Sequence, residues 1–151
     1  MTEIESVKKL GELVGRDVAV SEWVEVSQER IDRFAEATED RQWIHTDPGR
    51  AARESPFRAT VAHGFLTLSL LSEMGRTAMK VGGVRMGINY GLDRVRFISP
   101  VPAGSRVRGS FRLEKFVQAE DWALATWSVT VEREGGDNMC CVANWLVRYY
   151  V

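Results

Sequence analysis

Cysteine and histidine are scarce in this 151-residue chain, with two of each. The cysteines, Cys140 and Cys141, are adjacent. Neighbouring side chains on a strand point to opposite faces, which excludes a disulfide framework and a thiolate metal pair. His45 and His63 cannot complete a four-ligand zinc set at ligand-like spacing, so no metal is expected. An excess of one charge is missing too. Lys and Arg number 20 against 21 Asp and Glu, a formal net charge of −1, so no surplus exists to hold a polyanion and nucleic acid is not an expected partner. No apolar run approaches the ~18 residues of a membrane span. The acidic start, Met1-Thr-Glu-Ile-Glu5, lacks the basic-then-apolar order of a secretory leader. These absences predict a cytoplasmic chain with no membrane contact. Apolar residues at 44% and charged residues at 27% fit a single globular domain over residues 1–151, with a core that needs no staples.

The pattern that is present changes period halfway. Val7, Leu10, Leu13 and Val14 predict a short amphipathic helix stopped by Gly15, followed by an extended piece from about 18 to 26. Ser27 is a helix N-cap ahead of Ile31, Phe34, Ala35 and Thr38. Asp47-Pro48 starts a further short helix that ends near Ser55. From Gly64 to about Lys80, Phe65, Leu66, Leu68, Leu70, Leu71 and Met74 point in nearly every helical direction. That predicts one central helix buried all round. Beyond it the alternation is twofold: a strand around Leu92–Phe97, Val107, Phe111 and Leu113 against Arg106, Arg108 and Arg112, then Trp127, Val129 and Val131. The last is Cys141, Ala143, Trp145, Val147 and Tyr149. Pro100-Val-Pro-Ala-Gly104 and Gly135-Gly-Asp-Asn138 are the breaks. An antiparallel sheet wrapped around a buried central helix, an α+β fold, follows. Trp122, Leu124, Val142 and Leu146 on the outer face of that sheet predict a homodimer that covers them.

Reactive groups crowd into residues 40–64. Asp40 and His45 are five apart, off register for one helix face, yet able to converge in a bent loop. Asp40 also falls at a helix C-terminus, where the macrodipole disfavours fixed negative charge and suits a proton-transfer group. Gly64 begins the central helix, and a free N–H there, within an apolar domain, is a candidate oxyanion donor. Each residue also has a plainer reading. Asp40 serves as a solvated acid on a fraying end, His45 as a hydrogen-bonded loop histidine, and Gly64 as a packing residue. Asp47 is accounted for as an N-cap. Taken together, an acid–base pair and an oxyanion donor are what addition of water to an α,β-unsaturated thioester requires, with no cofactor.

The stretch Asp40-Arg-Gln-Trp-Ile-His45-Thr-Asp-Pro48, then Pro56-Phe57, then Val61-Ala-His-Gly64-Phe-Leu-Thr-Leu-Ser-Leu-Leu-Ser72 resembles the hydratase motif of MaoC-like dehydratases. More narrowly it resembles the NodN-like branch and the (R)-specific enoyl-CoA hydratases, a short mycobacterial member among them. Asn89-Tyr-Gly-Leu-Asp-Arg-Val-Arg-Phe97 and Pro100–Gly104 extend the likeness over nearly the whole chain. The resemblance implies a hot-dog fold, a homodimer, and reversible hydration of trans-2-enoyl-CoA to (3R)-hydroxyacyl-CoA. It implies Asp40 and His45 as the acid–base pair and the Gly64 N–H as donor to the thioester oxygen. Ser72 falls where some bacterial members carry an active-site serine, beside the plainer reading of a hydroxyl bonded to the preceding helical turn. Gln42-Trp43 replaces the Asn-Pro of many members. Gln42 remains able to orient a neighbour through its amide, and Trp43 adds bulk expected to reshape the acyl pocket. Arg58 stands where glycine is common in that branch. A hot-dog thioesterase and a non-catalytic acyl-thioester-binding module are the alternatives, the first disfavoured by the Asp-x₄-His pattern.

Overall fold

The computed structural model describes residues 1–136 and 139–151. The chain runs β1 (Thr2–Ile4), α1 (Val7–Gly11), β2 (Asp17–Val20), β3 (Val24–Val26), α2 (Gln28–Thr38), α3 (Trp43–Thr46) and α4 (Pro48–Glu54). It continues through α5 (Gly64–Ser69), α6 (Leu71–Ala78), β4 (Met79–Val81), β5 (Met86–Phe97), β6 (Ser105–Gln118), β7 (Trp122–Arg133) and β8 (Met139–Tyr150). The four long strands and β2 form an antiparallel sheet in the order β2-β6-β7-β8-β5, with β3 also paired to β6. β1 and β4 form a separate parallel pair. Ser27 caps α2, accepting from the Arg30 N–H at 3.2 Å, and Asp47 caps α4, accepting from the Arg50 N–H at 2.9 Å.

Helices α5 and α6 lie against the concave face of the sheet. Leu66, Leu71, Met74 and Ala78 meet Phe111, Leu113, Trp127, Val129, Val131, Cys141 and Ala143 in one core. Burying each large side chain there contributes about 1.5–3 kcal/mol. Gly109 on β6 permits this approach, since a Cβ at that position would lie 3.2 Å from the Met74 sulfur. The twofold alternation holds along β6 and β7: Val107, Phe111, Leu113, Trp127, Val129 and Val131 are all buried.

Three expectations change. The single buried helix over 64–80 is two segments joined at Leu70, where ψ relaxes to −12°, and it gives way to β4 after Ala78. Nor is it buried all round, because Phe65 is 68% exposed in the isolated chain. The strand expected around Leu92 begins at Met86 instead. It is an edge strand exposed on both faces and shifted in register near Asn89–Gly91 and Leu92–Arg94, so the alternation of Met86, Ile88, Tyr90 and Leu92 is interrupted before Val95 and Phe97 resume it. Finally, Trp122, Leu124, Val142 and Leu146 are half-buried within one chain. The Arg148 guanidinium covers part of that face, 4.7 Å from the Trp122 ring and 4.2 Å from Tyr90. Uncovered apolar surface instead follows β5 and the start of α5: Ile88, Tyr90, Leu92, Phe97, Ile98 and Phe65. The expected turn at 135–138 lies only partly within the described residues; Gly135 takes a φ of 67° there, and Asp137 and Asn138 lie outside them. Among the described residues no helix is long and apolar enough to cross a membrane.

Candidate active site

Helix α2 ends in a left-handed residue, Glu39 with φ 61°, which turns the chain sharply into the exposed loop that carries Asp40. Gln42 then opens α3, a single turn in which the His45 N–H donates to the Gln42 carbonyl at 3.0 Å. This turn brings His45 back over the loop. Gln28 on α2 fixes it from the other side, its amide donating to the His45 carbonyl at 2.7 Å. The segment 60–63 is held in turn by the Pro100–Gly104 break. Ala62 N–H donates to the Val101 carbonyl at 2.8 Å, and Ala103 N–H to the Thr60 carbonyl at 2.9 Å.

On this frame the two histidines have assigned tautomers. His45 Nδ1 lies 2.6 Å from the Val61 carbonyl oxygen; a carbonyl only accepts, so Nδ1 carries the proton and Nε2 keeps a lone pair. His63 Nε2 lies 2.9 Å from the Asp40 main-chain oxygen and by the same logic is protonated. His63 Nδ1 is buried with no partner. The rings stack, with centroids 3.8 Å apart and planes 24° apart, and Phe34 closes the far side of His63 at 5.0 Å. One carboxylate or ring atom from each of Asp40, His45 and His63 lies within 4.8 Å of the others. These three are close enough to offer ligand atoms to a cation. His45 Nδ1 and His63 Nε2 are already turned to main-chain carbonyls, however, so each ring has one nitrogen left to offer. The arrangement suits proton transfer better.

Burial of the His45 ring is the largest influence on it and holds its pKa below the ordinary imidazole value of 6.5. The Val61 hydrogen bond opposes this, the His63 charge reinforces it, and the Asp40 charge opposes it more weakly. His45 is therefore neutral at pH 7, with an available lone pair beside a carboxylate.

Gly64 begins α5 with no side-chain cap at His63, so its N–H has no intrahelical acceptor. A cleft of about 400 Å³ opens here, walled by Gly64, Val61, Thr67, Phe57, Phe97 and Ile98 among others. Asp40 and His45 are not in that wall. Val61 joins cleft and histidine: it lines the cleft, and its carbonyl accepts from His45 Nδ1. A Cβ on Gly64 would lie 2.8 Å from the Phe97 ring, so glycine is what permits this ring to cover the helix entrance.

The structure thus brings Asp40, His45 and the entrance of α5 into one neighbourhood and leaves other candidates apart. Ser72 lines a different cavity of about 530 Å³, together with Asn89, Trp127 and Trp145. There its hydroxyl oxygen accepts from the Asn89 amide at 3.1 Å. Gln42 contributes through its main chain, its N–H reaching Asp40 Oδ1 at a long 3.5 Å. Trp43 faces α4, where the Arg50 guanidinium sits 4.3 Å over its ring, and it walls neither of these two cavities. Arg58 has a φ of 57°, the left-handed region, which gives a physical reason for glycine at that position in related chains. His63 belongs to the motif that carries the family resemblance but reads from sequence as a structural residue, and Gln28 and the Val61 carbonyl were not distinguishable as site groups. A main-chain carbonyl has no residue signature, and Gln28 lies 17 residues from His45 on a helix whose pattern explains it otherwise.

A helix pair cradled by a long antiparallel sheet is the hot-dog architecture. Residues 9–134 match the MaoC-like domain, and the chain belongs to that family. It is 52% identical to Nodulation protein N of Rhizobium leguminosarum bv. viciae over 135 residues, covering 88% of this chain and 84% of that one. It is 48% identical to 3-hydroxyacyl-thioester dehydratase Z of Mycobacterium tuberculosis over a 153-residue alignment, covering 99% of each. The fold matches that of R-hydratase PhaJ1 from Pseudomonas aeruginosa with a TM-score of 0.70 at 21% identity, over 89% of this chain and 79% of that one.

Proposed function

We propose that the protein is an (R)-specific enoyl-CoA hydratase, adding water reversibly to a trans-2-enoyl thioester to give the (3R)-hydroxyacyl thioester. The observation that carries this reading is the neutral His45: Nδ1–H is fixed on the Val61 carbonyl, which leaves the Nε2 lone pair available, and a ring nitrogen of His45 lies within 4.8 Å of an Asp40 carboxylate oxygen. The dehydratase name of the mycobacterial relative describes the same reaction run in reverse, and the (3R) product follows from the resemblance to (R)-hydratases.

In the hydration direction the water oxygen bonds to C3 and one water proton passes to the Asp40–His45 pair, with His45 Nε2 as the free base. The C2–C3 π electrons move toward the thioester oxygen, where the Gly64 N–H donates to the developing negative charge. The proton held by the pair is then returned to C2, and the carbonyl re-forms. Atoms and charge balance without any cofactor.

A second copy of this chain is the partner the reading calls for. β5 is a twelve-residue sheet edge, and its unpaired main-chain groups and apolar side chains continue into Phe65 and Phe97 beside the cleft. Edge-to-edge pairing would extend the sheet and cover both. Ile88→Lys combined with Tyr90→Lys is expected to turn a dimer into a monomer by light scattering; a wild-type monomer refutes this part.

Incubation with crotonyl-CoA tests the reaction. Loss of enoyl absorbance with (3R)-hydroxybutyryl-CoA as product supports it. Release of free thiol would make the protein a thioesterase, and binding without turnover would make it a carrier or sensor of acyl thioesters.

A further inference from the structure

We infer that His63 is a positioning residue for this chemistry: by donating Nε2–H to the Asp40 main-chain carbonyl while its ring stacks on His45, it sets the spacing of carboxylate and imidazole. The inference rests on the acid–base reading above and adds a third residue to it. Residues 39–42 are all exposed, and Asp40 sits in them just past a left-handed turn. Within the loop, the Asp40 side chain meets only the long contact from the Gln42 N–H. The His63 bond is a tie from a segment 23 residues away, and His63 is also the residue that precedes Gly64 at the start of α5. One imidazole therefore touches the loop of the carboxylate, the ring of the base and the entrance that holds the oxyanion donor. Its buried, unpartnered Nδ1 is an anomaly for a residue present only to fill space, since leucine or phenylalanine would fill it without an unsatisfied acceptor.

The same stacking bears on charge. The groups whose charge acts on His45 are His63, from the entrance of α5, and Asp40, from the loop after α2. Gln28 of α2 and the Val61 carbonyl meet His45 as uncharged partners. The His63 ring covers one face of His45 across the 3.8 Å stack and adds to the burial that disfavours its charged form.

Two amide variants separate reach from bulk. His63→Gln places an amide N–H near the position of Nε2, whereas His63→Asn is one methylene short of the Asp40 carbonyl. Displacing a reacting group by about 1 Å costs up to ~10²-fold, so His63→Asn is expected to lose roughly 10- to 10²-fold in kcat on crotonyl-CoA with KM nearly unchanged. His63→Gln is expected to recover to within a few-fold of wild type. Both variants replace the stacked ring by a smaller amide and admit water around His45, so the acid limb of the kcat/KM profile should move to higher pH in each. A wild-type kcat in His63→Asn, equal impairment in both variants, or an unmoved acid limb overturns the inference. If His63→Asn does not fold, His63→Gln decides alone: near-wild-type kcat with a raised acid limb supports the role, and a loss beyond ~10²-fold or an unmoved limb overturns it. If the wild-type protein hydrates no enoyl thioester, the functional reading fails separately. An NMR titration of the His45 ring then judges His63: a higher midpoint in His63→Gln supports the coupling, and an equal midpoint overturns it.

Discussion

Gly64→Ala places a single methyl group where the oxyanion donor and the cleft wall meet. Built on the existing backbone, that methyl lies 2.8–2.9 Å from three atoms of the Phe97 ring. Ordinary carbon contacts begin near 3.4 Å, so the ring must retreat by at least 3.4 − 2.8 = 0.6 Å. Phe97 is 46% exposed at the end of an edge strand and can swing outward. The stability loss should then be confined to its edge contact with Phe65, at 6.0 Å between centroids, a contact of about 0.5–1.5 kcal/mol. For a domain of this size that corresponds to a Tm lower by roughly 1–6 °C. The activity loss should be larger. Crowding the carbonyl by even half an ångström weakens a hydrogen bond that matters only in the transition state, and removal of one such donor costs about 10²–10³-fold. A tenfold or greater fall in kcat, with a Tm within this range, is the expected result of parallel turnover and calorimetric measurements. Gly64→Ala/Phe97→Ala separates the two routes. If the double variant regains activity, the displaced ring caused the loss; if it stays impaired, the methyl itself occupies the oxygen's site. Full activity in Gly64→Ala would count against a thioester oxygen bound beside this methyl, and so against the Gly64 N–H as its donor.

Asp40→Asn and His45→Gln should each lower kcat by about 10²–10⁴-fold in steady-state assays while circular dichroism and oligomeric state stay unchanged; near-wild-type turnover in either removes that residue from the mechanism. Burial holds the folded pKa of His45 below 6.5, so activity should stay constant around neutrality and fall as pH drops through that lowered value. Stability should fall over the same window: below 6.5 the unfolded chain takes up a proton that the folded imidazole resists, so unfolding becomes easier as pH declines toward the folded pKa. Urea midpoints between pH 7.5 and 5 check the sign, and a midpoint that rises on acidification contradicts it. Trp43→Ala should leave the acyl-chain-length profile unaltered, because the indole packs under Arg50 and outside both cavities. A shifted chain-length optimum would restore Trp43 to the pocket.

The helix caps and the inner faces of the long strands were legible because each is written in side chains at fixed spacing: Ser27, Asp47-Pro48, and the alternation from Val107 to Val131. The convergence of Asp40 and His45 was legible as a pattern only. What produces it is the left-handed Glu39, a single turn of α3 and the carbonyls of Gln42 and Val61, none of which has a compositional mark. β5 was expected only around Leu92 although Met86, Ile88, Tyr90 and Leu92 already alternate; Gly87 and Gly91 within that run and the register shifts at Asn89–Gly91 and Leu92–Arg94 weaken the pattern. The alternation likewise does not say which face a second chain would cover. The outer face reads as too apolar for water until Arg148 is seen lying across Trp122 and Tyr90, whereas Phe65, assigned to the core by helical periodicity, stands out beside Phe97. On the proposal that a second chain pairs along β5, that chain would also cover Phe65 and Phe97, and the cleft at Gly64 would lie along the border. An edge variant that prevents pairing should therefore lower turnover as well as oligomeric state, even though Ile88 and Tyr90 lie outside that cleft's wall.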